Sequence, residues 1–186
     1  ALLKYGAHPY LNFDLQTNPF QMSDTLPILS MWQQFRPRGK VQAHIKGSGN
    51  PVDFSAMDYN GDILLNDFNF EPGEKLKPVS GINGNVAFRG NSLETSEITA
   101  RYGSSIMTMK GMIKSLQYPE AEISLSSPIF YLRDINFAHN RPDAGIRRFN
   151  AAFTVKNGSY TFKSVSGLIN SSNFNISGVY LTGRYP

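Results

Sequence analysis

The chain contains no cysteine and only one tryptophan among its 186 residues. The absence of cysteine excludes disulfide bonds, thiolate nucleophiles and zinc sites with cysteine ligands. Charged residues are also sparse, at 17%, and they form no dense Lys/Arg block of the kind that binds nucleic acid. No apolar run approaches the roughly 20 residues that span a bilayer, and the first residues lack the pattern of a signal peptide. We therefore expect no nucleic-acid partner and interpret the chain as a segment of a larger protein.

The residues that are present favour strands. Aromatic residues make up 12% of the chain, hydrophobic residues 40%, and 16 glycines and 11 prolines are spread along it. This composition is typical of many short strands separated by turns. The net charge is +4 and the pI is near 9.3, which is a mild bias toward anionic partners. The composition predicts an all-β fold with enough chain to bury a sizeable core.

Apolar and polar residues alternate with a period of two. In "IMTMKGMI", Met107, Met109 and Ile113 fall on one face of a strand, and Thr108 and Lys110 fall on the other. Turn signals separate such stretches at short intervals. They are Asn60-Gly61, Gly90-Asn91, Gly103-Ser104, Tyr118-Pro119 and Asn157-Gly158. The pattern predicts a meander of successive antiparallel strands.

The sequence repeats itself at two offsets. At an offset of 67 residues, "GSSIMTMKGMIKSLQYP" aligns with "SSNFNISGVYLTGRYP", so that Ser104-Ser105 matches Ser171-Ser172. At an offset of 110 residues, "PYLNFDLQTNPFQMSD" aligns with "PEAEISLSSPIFYLRD", which matches Asp24 to Asp134. We interpret residues 1–37 as the end of one unit, 38–145 as a whole unit and 146–186 as the start of the next. Such self-similarity is typical of stacked arrays.

One stretch departs from the strand pattern. In "SDTLPILSMWQQF", Ser23 or Asp24 can serve as N-cap, Pro27 falls in the first turn, and apolar residues follow at helical spacing. This predicts one short helix near 25–35. The matching place in the next unit, "DINFAHNRPDAG", predicts a loop.

The chain offers little that indicates catalysis or metal binding. His8, His44 and His139 lie far apart and match no ligand spacing. "DYNGD" at 58–62 resembles half of a calcium loop but has Asn69 where the bidentate Glu belongs, so the pattern favours a hairpin tip. "KGSGNP" at 46–51 predicts a strand end and a turn, and no nucleophile elbow occurs. We expect no metal, no cofactor and no enzymatic activity.

Three arginines gather in "RPDAGIRR", at Arg141, Arg147 and Arg148. They are candidates for contacts with phosphate headgroups, because guanidinium groups bind phosphate through two parallel hydrogen bonds. A solvated, functionless turn explains the same residues and is the more ordinary reading.

Three phrases in succession carry a resemblance to a known family. "GINGNVAFRG" opens with two strand glycines, "ARYGSSIMTMKGMI" follows it, and a proline then leads "PEAEISLSSPIFYLRDINF". Together they resemble the AsmA-like family of bacterial envelope proteins, of the AsmA/TamB/YhdP type, within the wider group of repeating-β-groove bridge proteins. The resemblance covers 38–186 well and 9–35 partly.

The resemblance implies a long, open, strongly curved antiparallel sheet with an apolar concave face. It implies a periplasmic location in a Gram-negative bacterium, and a parent protein anchored in the inner membrane. Members of this family are implicated in moving phospholipids toward the outer membrane or in assembling outer-membrane proteins. The helix near 25–35 departs from that pattern and puts a continuous lipid path in doubt.

The repeated apolar positions define the candidate lipid-facing set. If the hairpins stack in register, these residues line one face, which is either a groove for acyl chains or the interior of a sandwich closed by a second sheet. The set is Val86, Phe88, Ile98, Met107, Met109, Ile113, Leu125, Phe153, Val155, Val165, Phe174 and Ile176.

Three functional hypotheses follow. The first is a non-enzymatic segment that binds or conducts phospholipid or another envelope lipid along the apolar face. The second is an assembly factor for outer-membrane biogenesis whose strand edges accept a client strand, with outer-membrane assembly proteins as partners. A hydrolase of an envelope polymer ranks last, because no acid-base pair is recognisable.

Overall fold

In a computed structural model of the chain, the described residues are 2–4, 9–25, 30–53, 57–73, 76–90, 92–114, 120–137, 141, 143–156 and 159–182. Thirteen strands form within these ranges. They are β1 Leu2–Lys4, β2 Tyr10–Gln16, β3 Phe20–Gln21, β4 Arg38–Gly49, β5 Asp58–Phe70, β6 Val79–Arg89, β7 Ser92–Tyr102, β8 Ser105–Ile113, β9 Glu120–Tyr131, β10 Gly145–Lys156, β11 Ser159–Ile169, β12 Ser172–Ile176 and β13 Val179–Thr182.

All of these strands belong to one sheet. Its order is β1-β2-β4-β5-β6-β7-β8-β9-β10-β11-β12, with β3 also paired to β4 and β13 also paired to β11. Every pairing is antiparallel, and the sheet does not close on itself. The predicted all-β open meander is therefore confirmed. The sandwich alternative is wrong for the described part of the chain, because no second sheet forms there.

Bulges interrupt the register at five of the strand pairs. Shifts occur between β4 and β5, β5 and β6, β6 and β7, β7 and β8, and β10 and β11. Each bulge places an extra residue on one strand, which bends that strand and increases its twist. The sheet is consequently bent at many points along its width.

The predicted short helix takes the form of two 3-10 helices, η1 Met22–Thr25 and η2 Ser30–Phe35. Residues 26–29 lie outside the described ranges, and so does Pro27. Proline lacks the N–H that an α-helix would bond to the carbonyl four residues earlier, here Ser23, so an α-helix cannot run unbroken through this stretch. A third 3-10 helix, η3 Leu132–Ile135, occupies the start of the segment predicted as a loop. Within the described ranges, no helix has the length and apolar run of a membrane span.

The turn predictions have mixed outcomes. Turns occur at Gly90 and at Gly103-Ser104, and "KGSGNP" ends β4 and enters a turn at Pro51-Val52, as predicted. Tyr118-Pro119 and Asn157-Gly158 lie outside the described residues. The hairpin tip predicted at Asn60-Gly61 is wrong, because both residues lie inside β5. Gly61 has φ +150°, and a Cβ there would lie 1.9 Å from the His44 carbonyl oxygen, so glycine permits the close approach of β4.

The molecule exposes more surface than a compact protein of its mass. Its accessible surface is 12576 Å², whereas a compact monomer of 20.7 kDa exposes about 8,900 Å². A single sheet layer explains the excess, because one layer leaves both faces of the sheet accessible.

Candidate functional site

The register assigns each side chain to one of two sheet faces. Residues paired across antiparallel strands point to the same face, and neighbours along a strand point to opposite faces. We call the face that carries Met109 the apolar face and the face that carries Lys110 the polar face.

The apolar face contains a row of paired residues that crosses ten strands, β3 to β12. No member of the row is charged. The row is Phe20, Val41, Leu65, Gly84, Ile98, Met109, Leu125, Ala151, Val165 and Ile176.

A second apolar row lies toward the other ends of the same strands and crosses eight strands, β2 to β10. It is Leu15, Ile45, Gly61, Phe88, Leu93, Ile113, Ala121 and Val155. Between the two rows lie Thr95, Gly111, Ile123, Phe153 and Phe162. The rings of Phe153 and Phe162 are 5.7 Å apart between centroids. Together these residues form an uncharged band across the sheet.

All twelve candidate lipid-facing residues lie on the apolar face. Eight belong to the two rows, and Phe153 lies between them. The remaining three pair with small or apolar residues of the same face: Val86 with Ile63, Met107 with Ala100 and Phe174 with Gly167.

The apolar face is also where the buried hydrophobic residues lie. Six of the seven belong to it by register, and Met57 immediately precedes β5. The six are Val41, Ala43, Ile82, Ile98, Ala121 and Ala151. Because no second layer covers these residues in the described structure, they are sheltered by neighbouring side chains of the same bent sheet.

Two apolar depressions open on this face. One has a volume of about 170 Å³, and its lining includes Val86, Ile98, Met109, Ile113 and Ile123. Thr95 also lines it, and its Oγ1 is a buried hydroxyl without a hydrogen-bond partner among the described residues.

The second depression, of about 330 Å³, is lined by Phe35, Pro37, Phe68 and Phe70. Phe68 pairs with Ile82 and Phe70 with Val79, so both belong to the apolar face. Phe35 is the last residue of η2, so this end of the predicted helix lies beside the face.

The polar face has the opposite chemistry. A row directly adjacent to the first apolar row crosses seven strands and contains only polar residues: Asn83, Thr99, Thr108, Ser126, Asn150, Ser166 and Asn175. Elsewhere on this face, Glu122 accepts a hydrogen bond from Lys114 Nζ at 2.6 Å. That hydrogen bond, with the charges of Lys114 and Lys163, lowers the pKa of Glu122. The two faces thus differ sharply in polarity.

The end of the sheet that carries η1, η2 and η3, which we call the 3-10 end, holds a buried carboxylate. Asp134 is 1% exposed. Its Oδ2 accepts hydrogen bonds from Ser104 N at 2.9 Å, Ser105 N at 2.9 Å and Ser105 Oγ at 2.7 Å. Its Oδ1 accepts one from Lys77 Nζ at 3.2 Å. This cluster fastens the segment after β9 to the turn between β7 and β8.

The three candidate headgroup residues also lie at the 3-10 end, and all are exposed. Arg147 donates a hydrogen bond to the Asn170 carbonyl. Arg148 has φ +52° and its carbonyl accepts a hydrogen bond from Asn150. No described contact joins the three guanidinium groups into one site.

The histidines form no metal site within the described chain. His44 Nε2 lies 3.1 Å from Asp14 Oδ1 on the polar face, and His8 and His139 lie outside the described residues. No group of three potential ligands is found among the residues searched. "DYNGD" is part of β5 rather than a loop.

Sequence reasoning missed two features. The contribution of β3 to β5 to the apolar face was not predicted, although alternation in 41–45 and 61–65 could have indicated it. The burial of Asp134 was also missed. The match of Asp24 to Asp134 across the repeat was the available signal.

No family model, curated protein or solved structure matches this chain.

Proposed function

We propose that the apolar face binds the acyl chains of a phospholipid or another envelope lipid, without catalysis. The observation that carries the proposal is the uncharged band that crosses the open sheet with no second layer over it. Large apolar faces left accessible in water mark binding surfaces.

The hydrophobic effect supplies the binding energy. Each methylene moved from water onto the band gains about 0.8 kcal/mol, so a few methylenes suffice for measurable binding. The band offers acyl chains no charged partner, so binding depends on chain length more than on headgroup identity. Met107, Met109 and Phe174 supply side chains that adapt to mobile chains.

The headgroup stays in water at the 3-10 end. Arg141, Arg147 and Arg148 lie there and are exposed, so a phosphate can reach their guanidinium groups while the acyl chains lie on the band. Transport between inner and outer membrane in the periplasm extends this proposal through the resemblance to the AsmA-like family.

Photo-crosslinking at two adjacent residues of β8 tests the proposal. A photoreactive residue replaces Met109 in one variant and Lys110 in the other, and each full chain is illuminated with phosphatidylethanolamine/phosphatidylglycerol vesicles. The two positions share a strand and differ in face, since Met109 pairs with Leu125 and Lys110 with Ser124. We expect phospholipid adducts by mass spectrometry at position 109 and none at 110.

Equal labelling at both positions, or no lipid at 109, contradicts the proposal. Adducts to protein alone would favour the second hypothesis, in which outer-membrane assembly proteins bind the sheet through its strand edges.

A further inference from the structure

The two outer strands of the sheet carry exposed apolar side chains on the apolar face. Leu15 on β2 and Ile176 on β12 are each 48% exposed. β1 pairs with β2 only over Tyr10–Asn12, so the outer edge of Phe13–Gln16 has no partner among the described residues. The outer edge of β12 likewise has none there.

The strand boundaries repeat at the same offsets as the sequence. β7 and β11 span Ser92–Tyr102 and Ser159–Ile169, both 67 residues apart at each end, and β8 and β12 begin at Ser105 and Ser172.

The same holds at the offset of 110. β2 and β3 together run from Tyr10 to Gln21, and β9 runs from Glu120 to Tyr131. η1 and η3 follow them at the same offset. The edge formed by β12 therefore corresponds to β8, and the edge formed by β2 corresponds to β9.

The joint between β8 and β9 shows how two such edges fit. Met109 pairs with Leu125 and Thr108 with Ser126. The Asp134 carboxylate after β9 accepts three hydrogen bonds from the turn before β8. Transferred by the two offsets, Met109 becomes Ile176, Leu125 becomes Leu15 and Asp134 becomes Asp24.

We infer that a second copy of this chain binds edge to edge, with β12 of one copy paired to β2 of the next. Ile176 pairs with Leu15, and Asp24 binds the turn that leads into Ser172. Pairing of this kind satisfies unpaired backbone groups on both edges and covers both exposed apolar side chains. The contact is head-to-tail, so each copy keeps one free edge and assembly continues beyond the dimer.

The receiving turn resembles the internal one in shape and charge. Gly103 has φ +59° and Asn170 has φ +55°, so both turns have a left-handed residue at the same place. Ala144 stands at the position of Lys77, but the Arg147 guanidinium is bound to the Asn170 carbonyl and supplies a cation there.

One difference makes the new joint weaker than the internal one. A Cβ at Gly103 would lie 2.3 Å from Asp134 Oδ1, and Asn170 has a Cβ at the corresponding position. The Asp24 carboxylate must therefore shift away from the turn. Asn170→Gly removes this obstacle and should strengthen the contact.

Cysteine crosslinking tests the inference, because the chain has no cysteine of its own. Full-length Leu15→Cys and Ile176→Cys are mixed under mild oxidation without lipid, and products are counted on a non-reducing gel. Paired residues in antiparallel strands lie within disulfide reach. We expect a heterodimer from the mixture and several-fold less dimer from either variant alone, because a head-to-tail contact brings neither position to its own copy.

Leu64→Cys is the matched control, since Leu64 is 44% exposed but lies on the polar face of the central strand β5. Mixed with Ile176→Cys, it should give background crosslinking. Asn170→Gly should raise the heterodimer yield and Asp24→Asn should lower it. A heterodimer yield no greater than that of the single variants or of the Leu64→Cys mixture overturns the inference, and so does a yield that neither Asn170→Gly nor Asp24→Asn changes.

Discussion

At the scale of single residues, Asp134 is the most constrained charge in the described structure. Burial alone raises the pKa of this carboxyl, but hydrogen bonds from Ser105, Ser104 and Lys77, with the Lys77 charge, outweigh burial and hold the pKa below its ordinary value. The carboxylate therefore favours folding while it is ionised.

The pH dependence of stability follows from this direction. The unfolded-state pKa of aspartate is about 3.9, and the folded-state pKa of Asp134 is lower. Its contribution is fully present above the unfolded value and is lost as pH falls toward the folded value. We expect Asp134→Asn to lower the free energy of unfolding at pH 7 by about 3 kcal/mol and to flatten its decline in acid, as measured by denaturant titrations from pH 7 to 3.

Asp143→Asn is the control for that experiment, because Asp143 is exposed. It should leave both the stability and its acid limb close to those of the parent chain. Parallel acid limbs for Asp134→Asn and the parent would contradict the role assigned to the buried carboxylate.

At the scale of elements, the close approach of β4 and β5 depends on Gly61. Its backbone has φ +150°, and a Cβ would lie 1.9 Å from His44 O and 2.8 Å from Ile45 Cα. Both atoms belong to the neighbouring backbone, which cannot yield without moving the strand.

A matched pair of alanine substitutions separates backbone strain from this steric contact. Gly73 also has a positive φ, +132°, but a Cβ there meets nothing within 4 Å. We expect Gly73→Ala to cost about 1–2 kcal/mol of unfolding free energy from strain alone, and Gly61→Ala to cost at least ~2 kcal/mol more through overpacking. Equal losses in chemical denaturation would show that the contact between β4 and β5 is looser than the structure indicates.

Element existence was readable from the sequence where the pattern was local. Alternation around Met109 predicted β8 and its two faces, and the turn at Gly103 was predicted because a glycine there marks a change of direction. Asn60-Gly61 misled the prediction, because the same dipeptide serves a hairpin tip or a close strand approach, and only the neighbouring strand distinguishes them.

At the scale of the whole molecule, the single layer determines the energetics of folding. The unfolded chain exposes about 30,000 Å², so folding to an accessible surface of 12576 Å² buries about 17,400 Å². A compact monomer of this mass would bury about 21,100 Å². The open sheet therefore gains less from burial and leaves its apolar face accessible.

The denaturant dependence of unfolding should report this difference. Because the m-value scales with the surface exposed on unfolding, we expect an m-value in guanidinium chloride about a sixth below that of a compact protein of equal length. Coincident transitions by circular dichroism and fluorescence would establish that unfolding is two-state. An m-value equal to that of the compact reference would mean that the apolar face is covered in solution.

The sequence by itself determined that the chain forms antiparallel strands and that Met109, Leu125 and Val165 share a face. These properties depend on alternation and turn residues, which act over a few positions along the chain. Only the tertiary structure decided that the face is left open, that Asp134 is buried while its repeat counterpart Asp24 is exposed, and that Gly61 lies inside a strand. The physical reason is that burial and closure depend on which distant strands meet, and many sheet arrangements satisfy the same local pattern.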